Sequence, residues 1–132
     1  MQSPRSRILR VEDHTDTAEM MKVWLEMSHY EVTLARTAAE GFQRACSEHF
    51  DLCLLDSRLP DESGFELCRR ICDLAGHAPV MFISSDAYET DKRRGLTAGA
   101  LAYLTKPIDV EALEITMTRL INKAMGRGLG NA

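Results

Sequence analysis

The sequence predicts an α/β domain, a parallel sheet covered by helices on both faces. Three observations carry this reading. Five apolar runs of strand length recur along the 132 residues, the apolar spacing between and after them changes to a helical period, and capping signatures mark several of the junctions. Strands that alternate with helices are joined by crossovers, which lay helices over both sides of a sheet.

In chain order, strands are expected at RILRVE (7–12), EVTLA (31–35), DLCLLD (51–56), PVMFIS (79–84) and ALAYLT (100–105). The first helix is read from Met20, Val23, Trp24 and Met27, which fall at i, i+3, i+4 and i+7, with Asp16 and Glu19 as a candidate cap. The second shows Ala38, Phe42, Ala45 and Cys46 on one face behind the capping-box pair Thr37 and Glu40. The third shows Cys68, Ile71, Cys72 and Ala75 behind Ser63 and Glu66, and the last shows Leu113, Met117, Leu120, Ile121 and Ala124. All of these stripes are expected to be helix faces packed on the sheet. The fourth helix, over 90–99, is the weakest, because Gly95 inside it costs about 1 kcal/mol relative to Ala. Such a helix is either a defect or a moving part.

The length suits one domain with a core of its own, expected over 6–124 with short flexible tails at 1–5 and 125–132. Twenty acidic side chains stand against 16 basic ones, and the basic residues form no long run, so there is no electrostatic footprint for direct nucleic-acid binding. The N-terminus carries basic residues without the apolar stretch of a signal peptide, and no segment approaches transmembrane length. A cytoplasmic protein with no membrane contact is the expectation. Cys46, Cys53, Cys68 and Cys72 include no CxxC pair and are expected to be buried, reduced thiols. A zinc site from Cys46, His49 and Cys53 has no usual ligand spacing and is rejected.

In an open parallel sheet, ligands sit beyond the carboxyl ends of the strands. The residues at those ends are Glu12 and Asp13 after the first strand, Asp56 after the third, Ser84 and Ser85 at the fourth, and Lys106 and Pro107 after the fifth. Gathered carboxylates repel unless a cation lies among them. Oxygen ligands with room for water suit Mg²⁺, with Mn²⁺ as a substitute. A carboxylate beside a metal can attack phosphorus, while the metal and a lysine offset charge on the transferring oxygens. Each residue alone has a plainer reading. Asp13 or Asp16 could cap a helix, Asp56 could open a turn before Pro60, Ser84 could be a small strand-end residue and Lys106 a solvated one. Their joint placement on four strand ends is what points to chemistry.

The segments ILRVED (8–13), LLDSRLPDESG (54–64), FISSDA (82–87) and AGALAYLTKP (98–107) together resemble the receiver domain of two-component response regulators, over roughly residues 6–124. The resemblance implies a flavodoxin-like (βα)₅ fold with strand order 2-1-3-4-5. It implies that Asp56 accepts a phosphoryl group from a phosphohistidine and that Asp13 ligates Mg²⁺ directly while Glu12 acts through water. The main-chain carbonyl of Arg58 would be a further ligand. Ser84 and Lys106 would engage the phosphoryl group, Tyr103 would change rotamer with Ser84, and the Lys106–Pro107 bond would be cis. The implied partners are a histidine kinase or histidine phosphotransfer protein and a downstream protein target or linked output domain, with the chain a monomer or weak dimer.

Two pairs of positions depart from the family pattern or vary within it. Leu101 and Ala102 stand where transcription-factor receivers usually carry an acidic pair before the Tyr, which removes the acidic partners from a salt-bridged dimer through that face. Arg58 and Asp86 occupy variable positions flanking the acceptor and are expected to pair across the site mouth, limiting access of water. Alternatives are a phosphorylation-independent interaction module on the same fold and an Mg²⁺-dependent phosphohydrolase of the haloacid-dehalogenase type. The phosphohydrolase needs a D-x-D after a strand, and neither VEDHTDT nor LLDSRLP has that spacing. Flavin binding lacks a loop rich in hydroxyls and glycines.

Overall fold

A computed structural model describes residues 5–126. The elements alternate throughout: β1 (Ser6–Val11), α1 (Thr15–Met27), β2 (Tyr30–Ala35), α2 (Ala38–Ser47), β3 (Leu52–Leu55), α3 (Gly64–Cys72), β4 (Val80–Ser84), α4 (Glu89–Thr97), β5 (Ala102–Thr105) and α5 (Val110–Ala124). All neighbouring strands pair in parallel, in the order β2-β1-β3-β4-β5. This is the flavodoxin-like order expected. The tails expected at 1–5 and 125–132 fall largely outside the described residues.

Strand alternation divides the core into two layers. Leu9, Val11, Cys53, Leu55, Val80 and Phe82 face the side covered by α2, α3 and α4, where Phe65, Leu67 and Ile71 pack on them. Ile8, Leu52, Leu54, Met81 and Ile83 face α1 and α5, meeting Met21, Leu25, Leu113, Met117 and Leu120. Central β3 and β4 are buried along their whole lengths, as continuous apolar runs in a doubly covered sheet must be.

Several local expectations need correction. In α1 the buried residues are Ala18, Met21 and Leu25, whereas Met20, Val23 and Met27 are 72%, 58% and 74% exposed. The helix carries two apolar stripes, and of the one read from sequence only Trp24 is half-buried against the core, while the other three residues face solvent. Asp16 does not cap α1 either; His14 holds the cap position without a side-chain bond, and Asp16 lies inside the first turn. Thr37 and Ser63 do accept from the N–H of Glu40 and Glu66. Neither glutamate closes a full box: Glu40 reaches back to the Arg36 N–H, and Glu66 pairs with Arg69. At the helix ends Cys46, Ala75 and Ala124 are exposed, and Cys72 is half-buried, so only Cys53 and Cys68 are the buried thiols expected.

Gly95 has a packing reason. It is buried, and a Cβ there would lie 2.9 Å from Tyr103 Cδ2 and 3.1 Å from Phe82 Cδ2. The glycine lets α4 settle onto the Phe82–Tyr103 ring pair, whose centroids are 5.5 Å apart.

Candidate functional site

Register brings the strand ends together. Val11 of β1 pairs with Leu55 of β3, and the Asp56 N–H donates to the Val11 carbonyl at 3.1 Å, so Glu12 and Asp56 leave the sheet side by side. Ser84 pairs with Thr105, and the Lys106 N–H donates to the Ser84 carbonyl at 2.8 Å. The Lys106–Pro107 bond is cis, as expected.

Continuing the two-residue alternation past the strand ends sorts the side chains. Glu12, Asp56 and Lys106 follow the face that carries Ile8, Leu54 and Leu104, whereas Ser57, Ser84 and Tyr103 follow the opposite face. A charged half and a hydroxyl half therefore meet at one rim.

In the charged half, Lys106 Nζ donates to Asp56 Oδ2 at 2.9 Å and to Glu12 Oε1 at 3.0 Å. Burial alone would lower the Lys106 pKa, but the bonds to Asp56 and Glu12 outweigh it and raise it, so the ammonium is charged at neutral pH. Glu12 is fully buried. Burial pushes its pKa up, and the Arg10 charge with the Lys106 bond more than reverses this, leaving a carboxylate. Asp56 is 7% exposed, and its Oδ1 accepts from the Arg58 N–H at 3.1 Å. Gly64 fixes this acceptor from below: its N–H donates to the Ser57 carbonyl at 2.8 Å, and any Cβ would strike the Asp56 carbonyl oxygen. Asp13 is more exposed, and ligand atoms of Glu12, Asp13 and His14 lie within 4.8 Å of one another.

In the hydroxyl half, Ser84 is fully buried; its Oγ meets Ser57 Oγ and accepts from the Asp86 N–H at 3.0 Å. Ser57 also donates to Asp86 Oδ2 at 2.7 Å. Arg58 pairs with Asp86 through Nη2 at 2.8 Å and Nε at 3.1 Å, so the two flanking residues do meet across the mouth. Hydrogen bonds from Arg58 and Ser57 hold the Asp86 carboxyl below its ordinary pKa. Tyr103 Oη donates to the Asp86 carbonyl at 2.6 Å, which ties the aromatic to the same loop.

All eight residues singled out from sequence (Glu12, Asp13, Asp56, Arg58, Ser84, Asp86, Tyr103, Lys106) stand on this rim. Three were missed. Ser57 bridges Ser84 and Asp86, and its signal was its odd-numbered place after β3, on the side of Leu55. His14 contacts Glu12 and Asp13 from the α1 cap. Arg10 lies beneath Glu12, two residues earlier on the same strand face.

Comparison with known proteins gives the family. The family model described as "Response regulator receiver domain" matches residues 8–118. The chain is 32% identical over 124 residues to the response regulator ArlR of Staphylococcus saprophyticus, covering 94% of this chain and 56% of that protein. It is 36% identical over 109 residues to the uncharacterized transcriptional regulatory protein YkoG of Bacillus subtilis, covering 83% and 48%. Among solved structures, a CheY-like receiver from Methanospirillum hungatei superposes with a TM-score of 0.86 at 32% identity, covering 94% of this chain and 99% of that one. The non-phosphorylated HemR receiver domain of Leptospira biflexa gives 0.80 at 34% identity, covering 89% and 94%. The chain belongs to the response-regulator receiver domain family, and with it to two-component signalling. It spans about half the length of the curated relatives it matches.

Proposed function

We propose that Asp56 takes a phosphoryl group from a phosphohistidine in a cation-dependent transfer, and that the receiver unit spans residues 6–124. The observation that carries this is Lys106 Nζ held between Asp56 and Glu12, in a rim where Asp56 ends the central strand on a rigid, glycine-backed turn. One carboxylate oxygen of Asp56 attacks phosphorus as the donor's P–N bond breaks, and the imidazole leaves with the bonding pair. Lys106 faces the attacked centre as a fixed positive charge, and the buried setting strengthens that interaction without reorganisation.

The family resemblance makes Asp13, Asp56 and the Arg58 carbonyl the donors, hard oxygens that suit a divalent cation, and on the same rim ligand atoms of Glu12, Asp13 and His14 lie within 4.8 Å of one another. Mg²⁺, or Mn²⁺ in its place, would supply charge neutralisation of the transferring oxygens there. In the product, Ser84 leaves Ser57 for a phosphoryl oxygen, and Tyr103 gives up the Asp86 carbonyl to turn inward. This alters the surface formed by α4, β5 and α5. Leu96 and Leu101 are 53% and 55% exposed on that side, which suits an apolar protein target or a linked output domain better than a salt-bridged dimer. The Arg58–Asp86 pair covers the mouth and slows hydrolysis by water.

The exposed stripe of Met20, Val23 and Met27 begins seven residues after Asp13, about two helical turns along, and supports a protein donor, a histidine kinase or phosphotransfer domain, docking on α1. Labelling from a phosphorylated histidine phosphotransfer domain is expected on the wild type and absent from Asp56→Asn. Val23→Glu should slow labelling by that domain while leaving labelling by acetyl phosphate unchanged. Undiminished label on Asp56→Asn refutes the proposal.

A further inference from the structure

Arg10 takes no part in the proposed transfer, yet it lies directly beneath the site. It is fully buried in β1, between register partners Leu34 and Leu54, on a face otherwise made of Ile8, Leu52, Leu54, Met81 and Ile83. Its Nη2 donates to Glu12 Oε1 at 2.8 Å, and its Nη1 donates to the Val11 and Leu54 carbonyls at 3.3 Å each. Nε has no hydrogen-bond partner among the described residues. Burial lowers its pKa, but a guanidinium starts so high that it keeps its charge.

A buried ion pair with an orphaned N–H is a weak stabiliser, since replacing both partners by apolar side chains of similar volume usually does as well or better. What the arginine does is electrostatic. Glu12 Oε1 accepts from both Arg10 and Lys106, and Oε2 faces the main-chain N–H and ring of His14. With both oxygens engaged and no exposed surface, Glu12 is committed to the protein. Three carboxylates, Glu12, Asp13 and Asp56, then stand with two cations, which leaves a single net negative charge. An apolar residue at position 10 would leave two.

We infer that Arg10 is a built-in counter-charge and positioning residue of the acidic rim, which withholds Glu12 from the cation and weakens the site's hold on Mg²⁺. The inference rests on the reading of the rim as a divalent-cation site. Arg10 and Lys106 tie Glu12 and Asp56 into the rim, and Asp13 and Asp56 would be the carboxylates left to hold the ion. Phosphorylation of this receiver therefore reaches half its maximum at a higher free Mg²⁺ concentration than it would with an apolar residue at position 10.

The test is an Mg²⁺ titration followed by the backbone amide shifts of residues 12–14 and 56–58, in the wild type and in Arg10→Met, Arg10→Gln and Arg10→Lys. Gln keeps a donor towards Glu12 and guards against a Met variant that fails to fold. Removing a buried unit charge this close to the ion should tighten binding by about threefold or more in the neutral variants. Lys should stay near the wild type, which a purely structural role would not produce. Neutral variants that bind Mg²⁺ no more tightly than the wild type, with folded spectra, overturn the inference. Absence of any Mg²⁺-dependent shift in the wild type overturns it together with the cation reading of the rim.

Discussion

Asp61 illustrates how far a single side chain reaches in this fold. It sits in the loop after β3, yet its two carboxylate oxygens accept the N–H groups of Ala38 and Ala39, each at 2.9 Å, at the start of α2. Burial would raise its pKa; the two N–H bonds outweigh this and lower it. A depressed carboxylate stabilises the fold fully above its ordinary value of 3.8 and loses that contribution as pH falls through the folded value. Asp61→Ala is therefore expected to cost about 1 kcal/mol at neutral pH, the usual worth of a cap. In urea denaturation the gap to wild type should close below pH 3.8; a gap independent of pH would contradict the assignment. Such a bond was invisible in the sequence, because Asp61 lies 22 and 23 residues from its partners. Glu12, Asp13, Asp56 and Lys106 were legible for the opposite reason, since each ends an apolar run and parallel topology gathers strand ends. Arg10 was hidden inside such a run, where one charged residue among Ile, Leu and Val does not announce whether it is buried.

Among the elements, α4 and α1 show what periodicity can and cannot decide. Gly95 looked like a weakness in α4 but proves to be the contact that admits the Tyr103 ring. Gly95→Ala gains about 1 kcal/mol of helix propensity, and its methyl group meets Tyr103 and Phe82, where overpacking costs about 1–3 kcal/mol. A net loss of about 1 kcal/mol is expected in urea denaturation. A stabilised variant would show that the ring gives way freely. In α1, Met21 and Leu25 share the helical spacing of Met20, Val23 and Met27, so a period of 3.6 fits both stripes. Only the position of the sheet selects the first, and sequence periodicity contains no information about that position.

Across the whole molecule, one arrangement explains the site: β1, β3, β4 and β5 all run the same way and end at one edge, so residues 94 positions apart share a hydrogen bond there. The charged side chains lie towards α1 and α5, and the hydroxyls lie towards the α4 side where Tyr103 packs. Hydrogen bonds run from Ser57 and Ser84 through the Asp86 loop to Tyr103, which packs beside α4. The central claim is that Asp56 is the phosphoryl acceptor of this assembly. Intact-mass measurement after incubation with acetyl phosphate and Mg²⁺ tests it most directly. The account predicts one added phosphoryl group on the wild type and none on Asp56→Asn. The same added mass on Asp56→Asn, or none on a folded wild type at any Mg²⁺ concentration, would contradict it.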